Sequence, residues 1–127
     1  MYKHIALLVR QPGLSHDEFV DYWQQNHTPL AQQIEGVHRY QQVVPTDPEN
    51  AELDGLAELS FDSLDDLHDA LGSPGSRDYD PDKEYAAKSR EDVDNFLDID
   101  NRPRFIGEEI VQKDEGDGNT DGRYKHS

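Results

Sequence analysis

The sequence predicts an α+β domain: a four-stranded antiparallel sheet with helices packed on one face. Two observations predict it. Apolar segments with strand character and stripes with helical period follow one another as strand, helix, strand, strand, helix, strand, the split βαβ order. The chain has 127 residues, enough for one core and too few for two.

The elements follow in order. Tyr2 to Arg10 reads as a strand, because His4 to Val9 is a nearly continuous apolar run suited to burial on both faces. Gln11-Pro12-Gly13 is a turn. Ser15 then opens a helix with a capping box, since Glu18 stands three residues on. Phe19, Tyr22, Trp23, Asn26 and Leu30 form its inward stripe, with His27 at the edge. Pro29 lacks an N–H and crowds the carbonyl four residues back, so the helix should break near His27 and Thr28. Thr28 is then placed to cap a short second segment with Leu30 and Ile34 facing inward, ending near Glu35-Gly36.

Val37 to Val44 is a second, more polar strand, and Pro45 to Asn50 a loop. Leu53 to Phe61 is a third strand, with Gly55, Ala57, Leu59 and Phe61 on one face. Ser63 caps a helix whose buried stripe is Leu64, Leu67 and Leu71 and whose stop is Gly72. Ser73 to Pro81 is a loop. Asp82 to Leu97 is helical, with Tyr85, Val93 and Phe96 as anchors, and Phe105 to Val111 is the last strand. The domain spans 1–111, and the glycine-containing tail 112–127 is expected to be disordered. This is the ferredoxin-like plan. One sheet face has no helix to cover it yet carries apolar residues, so a homodimer through the open sheet face is expected.

The formal net charge is −16, from 28 acidic and 12 basic residues, and the acid is spread through the domain. Such a surface repels itself unless salt screens it, which suggests a halophile's protein. It also disfavours nucleic acid as a partner, which needs a basic patch. No eighteen-residue apolar run and no signal-peptide pattern is visible, so the expectation is a cytoplasmic protein with no membrane association. There is no cysteine, so disulfides and thiol chemistry are excluded. His4, His16, His38 and His68 lack metal-ligand spacing, and Asp78 to Asp82 lacks that of a calcium loop. No phosphate-cradling glycine motif occurs. The expected cofactor list is empty.

Several stretches together resemble the EthD domain. They are Leu7 to Ser15, Phe19, Tyr22-Trp23, His27-Thr28-Pro29-Leu30-Ala31, Arg39-Tyr40 after Gly36, Asp54 to Leu59 before Phe61, and Phe96-Leu97-Asp98. The resemblance covers roughly residues 1–111. It implies a dimeric α+β barrel with a pocket between sheet and helices. It also implies proton-transfer chemistry without metal or organic cofactor, as in the similar methylmuconolactone isomerases and aromatic-polyketide dehydratases and cyclases.

His27 matches the histidine of the family's Trp-x-x-x-His-x-Pro-Leu pattern, which makes it the candidate general acid or base. Its other reading is a cap on a freed carbonyl. Trp23 and Tyr22 are either core or walls for a small apolar or aromatic ligand, with Leu8, Leu56 and Phe61 as further walls. Arg39 can fix a carboxylate or pair with Asp54 or Glu58. Tyr40 can donate to an oxyanion or pack. Asp54 can orient His27 or simply stand at the exposed start of a strand before a flexible glycine. The expected function is isomerisation, dehydration or cyclisation of a small aromatic, lactone or polyketide-like substrate. The alternative is a non-catalytic small-molecule-binding or accessory domain supporting an oxygenase.

Overall fold

A computed structural model of the chain describes residues 1–72 and 83–115. Four strands, β1 (Tyr2–Leu8), β2 (Arg39–Val43), β3 (Gly55–Phe61) and β4 (Arg104–Glu108), form one antiparallel sheet in the order β2-β3-β1-β4. The long helices are α1 (His16–Tyr22), α3 (Leu64–Leu71) and α4 (Glu84–Asp92), with a short α2 (Thr28–Ala31) joined to α1. Three-residue 3₁₀ turns at Pro48–Asn50 and Val93–Asn95 complete the described elements. The α+β architecture is the one the element order predicts. The expected loop 73–81 and the acidic stretch Asp78 to Asp82 lie outside the described residues, as does the tail beyond 115.

Strand periodicity sorts the side chains. In β3, Gly55, Ala57, Leu59 and Phe61 face the helices, as the sequence pattern requires. Two apolar clusters fill the space between sheet and helices. One gathers Ile34, Leu59, Phe61, Leu67 and Leu71, and the other Leu8, Phe19, Trp23, Phe96 and Leu97. On the far face, Val43 and Phe105 are more than half exposed, and Lys3 bonds Glu58 at 2.8 Å. In α3, Ser63 Oγ caps the Asp66 N–H at 3.0 Å. Leu64 sits in its first turn and is exposed, whereas Ala70 takes the buried place beside Leu67 and Leu71.

The segment from Ser15 departs most from expectation. The capping box forms, with Ser15 Oγ accepting from the Glu18 N–H at 3.0 Å and Glu18 Oε1 from the Ser15 N–H at 2.9 Å. The helix, however, does not break before Pro29. It widens into a π turn over Trp23–His27, in which the Thr28 N–H donates to the Trp23 carbonyl, five residues back. Thr28 keeps helical dihedrals and so does not cap α2. Its hydroxyl donates to the same Trp23 carbonyl at 2.9 Å. A wider turn absorbs the proline because the chain gains a residue where the regular bond is missing.

The π turn changes which side chains face inward. Residues four apart drift around a 3.6-residue helix but stay aligned on a wider turn. The buried stripe is therefore Phe19, Trp23, His27 and Ala31, each under 9% exposed. Asn26 is exposed and Leu30 only half-buried, so the expected inward stripe is corrected at both positions. His27 moves from the edge of the stripe to its middle.

Candidate functional site

A cavity of about 130 Å³ lies between the sheet and the helices, at the junction of the two apolar clusters. Leu8 and Ala57 of the sheet, Trp23 of the π turn, and Phe96 and Leu97 after α4 supply apolar wall. From the helix side His27, Ser89 and Arg90 supply its polar groups. Residues Ala86, Ser89 and Val93 all line it, because positions three and four apart share one face of α4, which Val93 continues at the helix end.

His27 is held on both ring nitrogens. Nδ1 lies 2.9 Å from Asp92 Oδ2, and Nε2 lies 3.3 Å from Ser89 Oγ. Its ring also packs against Phe96, with centroids 4.9 Å apart. Asp92 accepts further from the Tyr22 hydroxyl at 2.6 Å and from the Asn95 amide at 3.0 Å. Burial alone would raise the Asp92 carboxyl, but the bonds from Tyr22, Asn95 and His27 outweigh it and hold the group below its ordinary range. Burial lowers the His27 pKa, and Asp92 offsets only part of that. At neutral pH the pair is an ionised carboxylate and a neutral imidazole. A carboxylate can only accept, so Nδ1 carries the proton and the Nε2 lone pair faces Ser89 and the cavity. That is the arrangement of a general base with an orienting acid.

Of the six residues marked from sequence, Trp23, His27 and Tyr40 line the cavity. Tyr40 accepts a bond from Gln42 Nε2 at 3.0 Å, and Gln42 Nε2 also reaches Thr28 Oγ1 at 2.7 Å. That leaves the phenol proton to donate. Tyr22, Arg39 and Asp54 are not among the described lining residues. Tyr22 acts one step back, through Asp92, and burial followed by the Asp92 carboxylate raises its pKa. Arg39 is exposed on the open sheet face, sharing a shallow groove there with Lys3, Gln41, Glu58 and Glu109.

Asp54 is 8% exposed rather than at the surface, and it does not reach His27. It accepts from the Arg10 N–H, Arg10 Nη1 and His16 Nδ1, each at 2.9 Å. Burial pushes its carboxyl up, but His16 and Arg10 prevail and hold it down. Asp54 thus ties the end of β1 and the start of α1 to β3. The glycine after it is required by packing. A Cβ at Gly55 would lie 2.6 Å from Trp23 Cζ3, so only glycine lets the indole rest on the strand. The other expected walls, Leu56 and Phe61, are not at the cavity: Leu56 pairs with Leu7 and Val43, on the open face, and Phe61 is buried within a core cluster.

Sequence reasoning missed Asp92, Ser89, His4 and Arg104. For the first two a signal existed. Ala86, Ser89 and Val93 form a helical stripe with one polar member, and Asp92 stands three residues after Ser89. Among the described residues no three His, Asp or Glu side chains converge on a metal position. No described helix is long and apolar enough to cross a membrane.

Residues 11–100 match the EthD domain. An EthD-family protein from Bacillus halodurans superposes with a TM-score of 0.67 at 22% identity, covering 87% of this chain and 99% of that one. A dimeric protein of unknown function and ferredoxin-like fold from Bacteroides fragilis gives 0.58 at 14% identity, over 85% and 95% of the two chains. A Dabb-family protein of ferredoxin-like fold from Mesorhizobium loti gives 0.60 at 11% identity, over 87% and 97%. At these identities the structural likenesses establish the fold. No curated protein matches the chain significantly.

Proposed function

The chain belongs to the EthD domain family, and from that premise we propose that it is a cofactor-independent enzyme of proton transfer, with His27 as the general acid and base. One observation carries this reading. A neutral imidazole, fixed by an ionised Asp92 at 2.9 Å, presents Nε2 beside a largely apolar cavity about the size of one ring. An imidazole so held can take a proton from carbon next to a carbonyl and return it elsewhere on the substrate. The substrate class is a small aromatic, lactone or polyketide-like carbonyl compound, undergoing isomerisation, dehydration or cyclisation. Tyr40 is placed to donate to the enolate oxygen, and Trp23 forms apolar wall.

The working form is a homodimer closed through the open sheet face. The exposed Phe105 and Val43 support this, as does the dimeric Bacteroides fragilis relative. The net charge of −16 supports a salt-rich cytoplasm as its working place.

A second reading, a small-molecule-binding domain that assists an oxygenase, is favoured by one contact: Ser89 Oγ already stands 3.3 Å from His27 Nε2. Deuterium exchange separates the two. The probes are an aryl 1,3-diketone and a phenyl-substituted butenolide in D₂O, followed by NMR. The enzyme reading expects exchange catalysed by the wild type and slowed about a hundredfold or more in His27→Asn, with binding retained. Equal exchange by both proteins removes His27 as the proton carrier. Binding without catalysed exchange favours the second reading.

A further inference from the structure

The charges on the cavity wall run against the charge of the chain. Acidic residues outnumber basic ones 28 to 12 overall. Yet the charged residues among the described lining are Arg90, Arg102 and Arg104, with no Asp or Glu among those described. Arg102 also reaches the exposed Asp94, at 3.5 Å. Three arginine side chains thus contribute to the wall of one space in a chain whose surface is mainly acidic.

A second observation points to the same place. His4 lines the cavity, its Nε2 is buried, and among the described residues nothing hydrogen-bonds that nitrogen. A buried ring nitrogen without a partner is costly and calls for a specific cause. The strand register sets its neighbour. His4 lies opposite Ile106 and Ala6 opposite Arg104 on the paired strands β1 and β4, so His4 and Arg104 are diagonal neighbours on the helix-facing side. Burial and the nearby Arg104 charge keep the His4 ring neutral, with its pKa lowered to about 4.

We propose that the cavity takes a small organic carboxylate with an apolar body of one ring, whose anionic end is held by His4 and Arg104. A neutral imidazole protonated at Nε2 donates one hydrogen bond to a carboxylate oxygen, and the guanidinium supplies the compensating charge. The cavity of about 130 Å³ is a little smaller than the roughly 150 Å³ dry cavity that holds benzene, which limits the enclosed part of the ligand to one ring. The anion binds at the sheet wall, while His27 and Ser89 belong to the helix wall. The ligand's ring or carbonyl carbon therefore lies between its charged end and the imidazole. This names the substrate class of the site under Proposed function, and it rests on that cavity being a ligand site rather than on His27 being catalytic.

The test is calorimetric binding of phenylacetate against its uncharged isostere phenylacetamide, in the full-length protein. Phenylacetate is expected to bind about tenfold or more tightly than the amide, the worth of a hydrogen-bonded charge. The Arg104→Gln variant should lose that preference while keeping its affinity for the amide. His27→Asn should keep the preference, so loss of catalysis and loss of anion selectivity can be told apart. Should Arg104→Gln fail to fold, the wild-type His4 ring resonances serve instead. At saturation they shift with phenylacetate, and by more than with the amide. Equal or tighter binding of the amide, no binding of either compound at millimolar concentration, or His4 resonances unmoved by phenylacetate overturns the proposal.

Discussion

Asp92 Oδ2 stands 2.9 Å from His27 Nδ1, although the two residues are 65 apart in sequence and come from different helices. The contact exists because the π turn brings His27 inward, and because Asp92 ends the helix that packs over it. Removing the carboxylate has a definite sign. Burial lowers the His27 pKa and Asp92 opposes that, so in Asp92→Asn the ring should titrate at still lower pH than in the wild type. NMR titration of the ring protons checks this without a substrate. An upward shift would contradict the assigned balance. Exchange catalysis should also fall, since the tautomer is no longer fixed.

His4 predicts how stability depends on pH. Its folded pKa is about 4, below the ordinary 6.5, so the unfolded chain binds the proton more readily. The stability it contributes is fully present above pH 6.5 and is lost as pH falls toward 4. The loss is roughly 3 kcal/mol at full extent. His27 acts with the same sign. Asp54 and Asp92, both held low, add further loss as pH falls below their ordinary range near 3.8. Urea unfolding at pH 7 and pH 5 should show the drop, and His4→Gln should reduce it. An equal drop in that variant would assign the effect elsewhere.

Gly55 and Trp23 should behave as a coupled pair. Gly55→Ala drives a methyl group into the indole and should cost about 1–3 kcal/mol in urea unfolding. Trp23→Phe frees the space the methyl needs, so adding Gly55→Ala to that variant should cost less than it does in the wild type. Strict additivity would show that the strand shifts rather than the ring.

Phe105 tests the open sheet face. It is 57% exposed, and a Cβ at Gly107 on the same face would lie 3.5 Å from its ring. Phe105→Glu should shift sedimentation from dimer to monomer while the fold persists. Two protomers of net charge −16 repel each other, so wild-type dimerisation should tighten as potassium chloride rises from 0.1 to 2 M. A dimer insensitive to both changes would place the interface elsewhere.

The sequence by itself determined the α+β plan, the strands, and the two faces of β3. Those follow from periods of two and of 3.6, which are local properties. It marked the capping box at Ser15, the Ser63 cap and the core places of Phe19, Trp23 and Leu67 for the same reason. It singled out His27 through the residues around it. Tertiary structure decided the partners. Pro29 alone cannot say whether a helix breaks or widens, because the outcome depends on what Trp23 and His27 pack against. Asp54, read either as a partner for His27 or as an exposed strand start, instead binds Arg10 and His16, and Asp92 takes the place beside the imidazole. His4, read as one member of an apolar strand, faces a cavity lined with arginines. Contacts across 65 residues, or between strands at opposite ends of the chain, leave no periodic trace in the sequence. They form only where the sheet register and the helix packing bring the side chains together.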